Sequence, residues 1–182
     1  MSLIEQFHGA AADGTELTAI YAEQPAADVA FALIFAGHGL PRFVHWGRPL
    51  AAPGTVLAAL RPQRVSGALD ETAWPSIMPT QSESWIGAPR LDIRRAGVAP
   101  FCAFTVTGIA IRQDERQGVD VSDGVDGAAH TVTQQVPVVT VTASDTEQGV
   151  ELSWTAELLP GGLIRQRTTL RNLPAGNLPT GD

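Results

Sequence analysis

The sequence predicts an all-β protein, an antiparallel β-sandwich, and three observations support this fold class. Runs rich in Val, Thr, Ile and Phe recur between clusters of Gly, Pro, Asp and Asn, which is the pattern of short strands joined by turns. The run from Val150 to Leu158 alternates strictly between apolar and polar residues. Only Thr55 to Leu60 has a helical pattern, and 182 residues are enough for one domain with its own core.

The strands of the first two thirds of the chain are predicted from β-branched and aromatic residues between turn signals. In chain order they are Leu17 to Tyr21, Phe31 to Phe35, Arg42 to Trp46, Leu91 to Arg94 and Phe101 to Ile111. The stretch Asp114 to Gly127, DERQGVDVSDGVDG, is acidic and glycine-rich. We therefore expect it to form a mobile hairpin tip.

The last third predicts a meander of three strands over residues 138 to 171. Val138 to Ser144 comes first, the alternating run from Val150 follows, and a further strand begins after Pro160-Gly161-Gly162. A three-residue turn there pairs Leu159 with Leu163 and keeps the apolar residues on one face. The same register places opposite charges across the sheet, at the pairs Glu157 with Arg165 and Glu151 with Arg171.

Composition excludes several function classes. The net charge is -7, so phosphate backbones and anionic lipid surfaces are poor partners. Lysine is absent, which excludes a Walker lysine and a Schiff-base lysine. The single cysteine, Cys102, lies in the apolar run PFCAFTV and is expected to be buried. No signal-peptide pattern or membrane-length apolar run is visible, so the expected location is the cytoplasm.

No residue pattern predicts a catalytic or metal site. Asp120, Asp123 and Asp126 recur every three residues, whereas calcium loops alternate their oxygen ligands at a spacing of two and end with a glutamate. The four histidines include no pair with metal-ligand spacing. Neither a nucleophile elbow nor a facing pair of carboxylates is visible. We therefore assign no catalytic residue, no metal and no cofactor.

The stretch Pro75 to Leu91, PSIMPTQSESWIGAPRL, has neither helical nor strand periodicity. Such a segment is either a disordered linker or a shaped functional loop, and Trp85 with Ile86 favours the loop. Trp154 is predicted to lie in the core, because it is on the apolar face of its alternating strand. Trp74 and Trp85 have two open interpretations, as packing anchors beneath a loop or as platforms that stack on a sugar ring.

Four strings together resemble a known family. FVHWGRPL at Phe43 to Leu50, LRPQ at Leu60 to Gln63, PSIMPTQSESWIGAPRLDIRR, and ELLPGGLIRQRTTLRNL are similar to the N-terminal region of bacterial α-galactosidases of glycoside hydrolase family 36. The resemblance covers about Phe31 to Leu173. It implies a β-supersandwich, here incomplete, that precedes a (β/α)8 barrel and a small C-terminal β domain in the parent enzyme, both absent from residues 1–182.

The resemblance also implies a function. The retaining catalytic carboxylates belong to the barrel, so the chain alone is expected to be inactive. Its role would be to pack on its own barrel, to help assemble a homo-oligomer and to shape the mouth of an active site that hydrolyses terminal α-galactosyl residues. Asp70, Trp74 and Trp85 are then the candidate substrate-binding residues. The loop Leu60 to Gln63 lacks the acidic residue by which some family members contact substrate.

Two alternatives remain open from the residues alone. One is a stand-alone carbohydrate-binding or mutarotase-like β-sandwich, in which Trp74 or Trp85 stacks on a sugar and an acid with a histidine opens the ring. The other is an interaction domain without a role in sugar chemistry. Binding of galactose to the isolated chain distinguishes the first alternative from the family interpretation.

Overall fold

The computed structural model describes residues 3–10, 14–55, 75–83, 88–93, 101–120 and 130–173. In these residues the chain forms two four-stranded antiparallel sheets, which confirms the predicted all-β sandwich. The helical parts described are short: the 3-10 turns Pro25–Ala27 and Gln81–Glu83, and residues 53–55. Nothing in the described part of the chain forms a helix that is long and apolar enough to cross a membrane.

Sheet 1 contains the N-terminal strands in sequence order. The strands are β1 (Ile4–Ala10), β2 (Glu16–Gln24), β3 (Val29–Ala36) and β4 (Arg42–Gly47). Strands β2, β3 and β4 extend the three predicted strands by a few residues. The prediction missed β1 because EQFHGA mixes polar and apolar residues on both parities. Pairing is antiparallel throughout, with a bulge in β4 between the partners of Ala32 and Leu33.

Sheet 2 is the predicted meander with one strand added before it. The Leu159 amide donates to the Leu163 carbonyl at 2.9 Å, so the three-residue turn is confirmed. The pairs Glu157–Arg165 and Glu151–Arg171 lie opposite each other as predicted. The strands are β5 (Thr105–Asp120), β6 (His130–Asp145), β7 (Val150–Leu158) and β8 (Ile164–Asn172).

Four sequence predictions need correction or lie partly outside the described residues. Residues 91–93 of the predicted strand Leu91 to Arg94 are irregular. Strand β5 begins at Thr105, not at Phe101, and continues to Asp120 through the first half of the predicted hairpin tip, where Asp114 pairs with Val136. The polar residues of this part of β5 are compatible with a strand because solvent reaches most of their side chains. Residues 121–129 of the tip and 56–60 of the predicted helix lie outside the described part.

Apolar side chains from the facing surfaces of both sheets form the core. Trp154 on β7 is 1% exposed, and its ring meets Phe43 of β4 edge-on with ring centroids 5.9 Å apart. Phe43 in turn contacts Phe31 of β3 at a centroid distance of 5.9 Å. Tilted and edge-on aromatic pairs stabilise a core beyond their buried area. The predicted core position of Trp154 is therefore confirmed.

The outer face of sheet 1 is also buried. Residues on the parity opposite to the core are buried too, and Ala30 and Ala32 on β3 are 0% exposed. The segment 48–55 crosses this face, where the Leu50 amide donates to the Tyr21 hydroxyl at 2.7 Å. Strand β3, VAFALIFA, is apolar on both faces because both are covered.

The outer face of sheet 2 is polar and partly open to solvent. Hydroxyls meet across neighbouring strands, as between Thr140 and Thr155 at 3.2 Å. Glu157 forms ion pairs with Arg165 and, at 3.3 Å, with Arg116. Such cross-strand pairs stabilise a sheet by a few tenths of a kcal/mol to about 1 kcal/mol each.

The turn between β7 and β8 requires glycine. Gly162 has φ +78°, in the left-handed region, and a Cβ added there would come within 2.9 Å of Val29 Cγ2. Only glycine combines this backbone conformation with so close a contact to β3. The turn therefore also holds the end of sheet 2 against sheet 1.

Candidate functional site

The irregular segment after Pro75 is packed against the sandwich where it is described. Ser76, Ile77, Met78 and Thr80 are buried, with exposures between 3% and 7%. The Ile77 amide donates to the Pro41 carbonyl at 2.9 Å, next to the start of β4. A segment with buried side chains and a backbone bond to the sheet is a shaped loop, as the sequence indicates, and not a linker.

Residues 88–93 close the loop on itself. The Arg90 amide donates to the Pro79 carbonyl at 3.1 Å, and Arg90 Nη1 donates to the Ile77 carbonyl at 3.3 Å. The Met78 amide donates to Ser76 Oγ at 3.2 Å. These bonds satisfy backbone groups that an irregular segment leaves unpaired, and they fix the Arg90 side chain beside the loop.

A second set of contacts ties the loop to sheet 2. Ser82 Oγ donates to the Cys102 carbonyl at 2.5 Å, and the Ala103 amide donates to Asp145 Oδ2 at 2.8 Å. Burial, and then the negative charge of Asp145, raises the pKa of the Cys102 thiol from 9.0 to about 12. Cys102 is therefore a neutral thiol at physiological pH, and its predicted burial is confirmed.

A cavity of about 320 Å³ lies between this loop and the edges of both sheets. Gln166 Oε1 accepts a hydrogen bond from Trp154 Nε1 at 3.3 Å, which fixes the amide and turns its NH2 group away from Trp154. The cavity thus combines an aromatic wall with amide, guanidinium and hydroxyl groups. Its lining residues are Phe43, Pro75, Ser76, Ile77, Arg90 and Gln166.

This lining can bind a small polar molecule but lacks the groups for hydrolysis. An aromatic surface with a few fixed polar groups is typical of small-molecule sites. Glycoside hydrolysis needs two carboxylates, and ring opening needs an acid and a base. None of the described residues that line the cavity is Asp, Glu or His.

A second cavity, of about 230 Å³, lies on the outer face of sheet 1 and includes Glu5, Tyr21 and Glu23. The Tyr21 hydroxyl donates to Glu23 Oε1 at 2.7 Å and accepts from the Leu50 amide. Burial is the main cause that raises the pKa of Tyr21 to about 12, so the hydroxyl stays protonated and able to donate. Tyr21, oriented by Glu23, therefore holds the segment 48–55 against sheet 1, which is a structural role.

The predicted substrate-binding residues Asp70, Trp74 and Trp85 lie outside the described residues. Asp123 and Asp126 also lie outside them. Within the described ranges, no group of three His, Cys, Asp or Glu side chains is placed to hold a metal ion. The structure does place Pro75, which follows Trp74 directly, in the wall of the larger cavity.

Sequence reasoning missed three residues of that cavity: Phe43, Arg90 and Gln166. Gln166 could have been predicted, because it is a polar residue on the same face of β8 as the apolar residues Ile164 and Leu170. Phe43 was visible as a strand residue and Arg90 as the last charge of the irregular segment. The three residues come together only through contacts between β4, β8 and the loop, and local sequence patterns do not predict such contacts.

The fold defines the chain as an antiparallel β-sandwich domain with a packed edge loop. Residues 39–179 match the family model described as the glycosyl hydrolase family 36 N-terminal domain. The chain therefore belongs to this family, as its N-terminal domain. No curated protein and no solved structure matched the chain.

Proposed function

We propose that this chain is the non-catalytic N-terminal domain of a bacterial, cytoplasmic α-galactosidase that removes terminal α-linked galactose from galacto-oligosaccharides by a retaining mechanism. The match of residues 39–179 to the family's N-terminal domain is the observation that carries the proposal. In this role the domain packs on a (β/α)8 barrel, helps assemble a homo-oligomer and narrows the mouth of the active site.

The packed edge loop supports the last of these roles. Its described residues are held by a backbone bond from Ile77 to Pro41, beside β4, and by a bond from the Ser82 hydroxyl to the Cys102 carbonyl before β5, so the loop presents a fixed shape to a partner surface. A preorganised loop loses little conformational entropy on contact with a partner. We place Asp70, Trp74 and Trp85 among the residues that contact the galactoside in the parent enzyme.

Hydrolysis by the purified chain tests this proposal. With p-nitrophenyl α-galactoside, we expect no release of nitrophenol above the buffer blank, because the catalytic carboxylates belong to the barrel. An unrelated α-galactosidase serves as the positive control. Activity that copurifies with the 19.2 kDa chain through a second, orthogonal column would contradict the proposal.

The cavity favours a second candidate function, carbohydrate binding by the domain itself. Phe43 offers an aromatic wall, and Arg90 and Gln166 offer donors for sugar hydroxyls. Since an acid and a histidine are missing from its described lining, the cavity supports binding over mutarotation.

Calorimetric titration of galactose into the chain tests this second function. Dissociation constants in the millimolar range or below, lost in Gln166→Ala and retained in the control Arg48→Ala, would support it. Arg48 is a suitable control because its side chain is 89% exposed and pairs only with Asp28 among the described residues. Heat that equals the dilution blank would exclude the cavity as a galactose site.

A further inference from the structure

The hairpin of β5 and β6 extends beyond the other strands of sheet 2. Both strands have 16 residues, whereas β7 and β8 have 9 each. Strand β7 pairs with β6 from Val138 to Asp145, and residues 130–137 of β6 pair with β5 alone among the described strands. Residues 115–120 and 130–135 therefore form a two-stranded projection about 20 Å long, which we call the distal ribbon.

A buried amide and a proline end the pairing of β6 with β7. Gln24, the last residue of β2, is 3% exposed, and its Nε2 donates to the Gln135 carbonyl at 3.0 Å and to the Leu158 carbonyl at 3.5 Å. Leu158 is the last residue of β7, so the Gln135 carbonyl points to the side of β6 on which β7 lies. Pro137, two residues away, has the same orientation and lacks the N–H that a longer β7 would need. The Gln24 side chain therefore takes the place of a further β7 residue at the base of the ribbon.

Few contacts hold the distal ribbon against the sandwich. Besides the Gln24 bond, one further polar contact joins it to the sandwich within the described part of the chain, the ion pair of Arg116 Nη2 with Glu157 Oε2 at 3.3 Å. A two-stranded ribbon without further packing is marginally stable in water. These two contacts therefore largely decide where the ribbon lies. The other side chains described in it are mostly exposed: Glu115, Gln117, Thr133 and Gln135.

The position of the ribbon leaves one polar atom without a partner. Gln134 Oε1 is buried and accepts no hydrogen bond within the described part of the chain. Gln134 lies opposite Arg116 of β5, whose side chain reaches Glu157. A buried amide oxygen without a donor destabilises a state by at least as much as one ordinary hydrogen bond stabilises it. Gln134 therefore opposes the position of the ribbon that Gln24 stabilises.

The base of the ribbon is fixed in the sandwich. Val136 is 0% exposed, and Val138, also 0% exposed, pairs with both β5 and β7. A movement of the ribbon is therefore confined to the residues beyond this base. When the ribbon moves away, the bond of Gln24 to the Gln135 carbonyl is lost, and the Gln134 oxygen gains access to water. The free energies of these two changes have opposite signs and similar size.

We propose that the distal ribbon is a two-state arm: the Gln24 amide stabilises its docked position, and the unpaired Gln134 oxygen favours its open position. In the docked state Gln24 bonds to the Gln135 carbonyl and Arg116 reaches Glu157. In the open state both contacts are broken, water hydrates Gln134, and the ribbon frays because nothing packs on it. The arm is a property of this domain and is independent of the substrate of the parent enzyme.

Amide hydrogen exchange, measured residue by residue on the whole 182-residue chain, tests the arm. Methionine is similar to glutamine in length and volume, so the same substitution removes the amide at either site with little change in packing. Gln24→Met should speed exchange in the ribbon roughly three- to tenfold, because the docked state loses a hydrogen bond. Gln134→Met should slow it roughly fivefold or more, because the docked state no longer contains an unpaired oxygen.

Two controls separate the arm from general stability. The amides of β7 are expected to keep their exchange rates in Gln134→Met. Gln6→Met makes the same substitution at an exposed position of β1 and is expected to change neither region. Gln134→Met leaves the bonds of Gln24 intact, so it is decisive even where Gln24→Met weakens the whole fold. Ribbon exchange that is not slowed in Gln134→Met, that slows equally in β7, or that stays unchanged in Gln24→Met would overturn the proposal.

Discussion

The two sheets of the sandwich differ in how much of their surface is covered. Sheet 1 is buried on both faces at β3, where Ala32 on the outer face is as inaccessible as Leu33 on the inner face. Sheet 2 is buried on its inner face at β7, polar on its outer face, and exposed at β8. The difference shows that the outer face of sheet 1 at β3 belongs to the interior of the domain, whereas the outer face of sheet 2 is partly open to solvent.

The largest expected effect on folding stability comes from a negative charge placed on the outer face of one sheet or of the other. Ala32→Asp puts a carboxylate at a fully buried position of β3 and should destabilise the fold by roughly 4 kcal/mol or more. Ser153→Asp makes the same kind of change on the partly exposed outer face of β7 and should cost about 1 kcal/mol or less. Urea unfolding followed by tryptophan fluorescence measures both. Equal losses would contradict the difference between the two faces.

The next effect compares two tryptophans on the inner parity of their strands. Trp154→Ala removes a side chain that is 1% exposed and should cost roughly 3–5 kcal/mol, because a cavity remains beside Phe43. Trp46→Ala removes one that is 63% exposed and should cost less than about 1 kcal/mol. Thermal unfolding by circular dichroism distinguishes them. A large loss in the Trp46 variant would mean that this edge of sheet 1 is covered.

A smaller effect distinguishes the ion pairs of Glu157 from the ion pair of Glu151, both on the outer face of sheet 2. The Glu157 side chain is 11% exposed and contacts two arginines, so Glu157→Gln should cost about 1 kcal/mol. The Glu151 side chain is 38% exposed and contacts Arg171, so Glu151→Gln should cost about 0.5 kcal/mol or less. Chemical unfolding in low and high salt measures the losses. If Glu151→Gln proves the more damaging, burial does not set the strength of these pairs.

The last expected effect is a pH dependence from the covered outer face of sheet 1, which appears only above pH 10. The pKa of Tyr21 is raised from 10.0 to about 12, mainly by burial, so the folded state keeps a proton that the unfolded state has lost. Stability from Tyr21 is therefore complete below pH 10 and is lost as the pH rises towards 12. Tyr21 is the only tyrosine, so absorbance at 295 nm follows it alone.

We expect a tyrosinate midpoint near pH 12 in the native chain and near 10 in urea. The stability difference between the native chain and Tyr21→Phe should shrink across this range. Both proteins keep Cys102, so the raised pKa of its thiol cancels in that difference. A native midpoint near 10 would show that the segment 48–55 does not bury this hydroxyl.

Local patterns predicted sheet 2 better than sheet 1. Alternation from Val150 to Leu158 and the parity of the arginines were enough to fix the register of β7 and β8, because one face is buried and one is wet. Residues 114–120 were wrongly predicted as part of a hairpin tip, since a strand exposed on its faces has the composition of a loop. Strand β1 was missed for a similar reason.

The candidate site was less predictable than the fold. The irregular composition of Pro75 to Leu91 indicated a shaped loop, and the burial of Ile77 and Met78 agrees. The cavity depends on Phe43, Arg90 and Gln166, which are far apart in sequence and meet only after both sheets and the loop are assembled. Tertiary contacts of this kind leave no local periodicity from which to predict them.

The most direct measurement is the size and activity of the native polypeptide that contains this domain. An antibody raised against residues 1–182 would be used on an extract of the source cell, first by immunoblot and then for capture followed by assay with p-nitrophenyl α-galactoside. We predict a band several times larger than 19.2 kDa and α-galactosidase activity in the captured material. A band near 19.2 kDa without activity would contradict the assignment to a multidomain α-galactosidase.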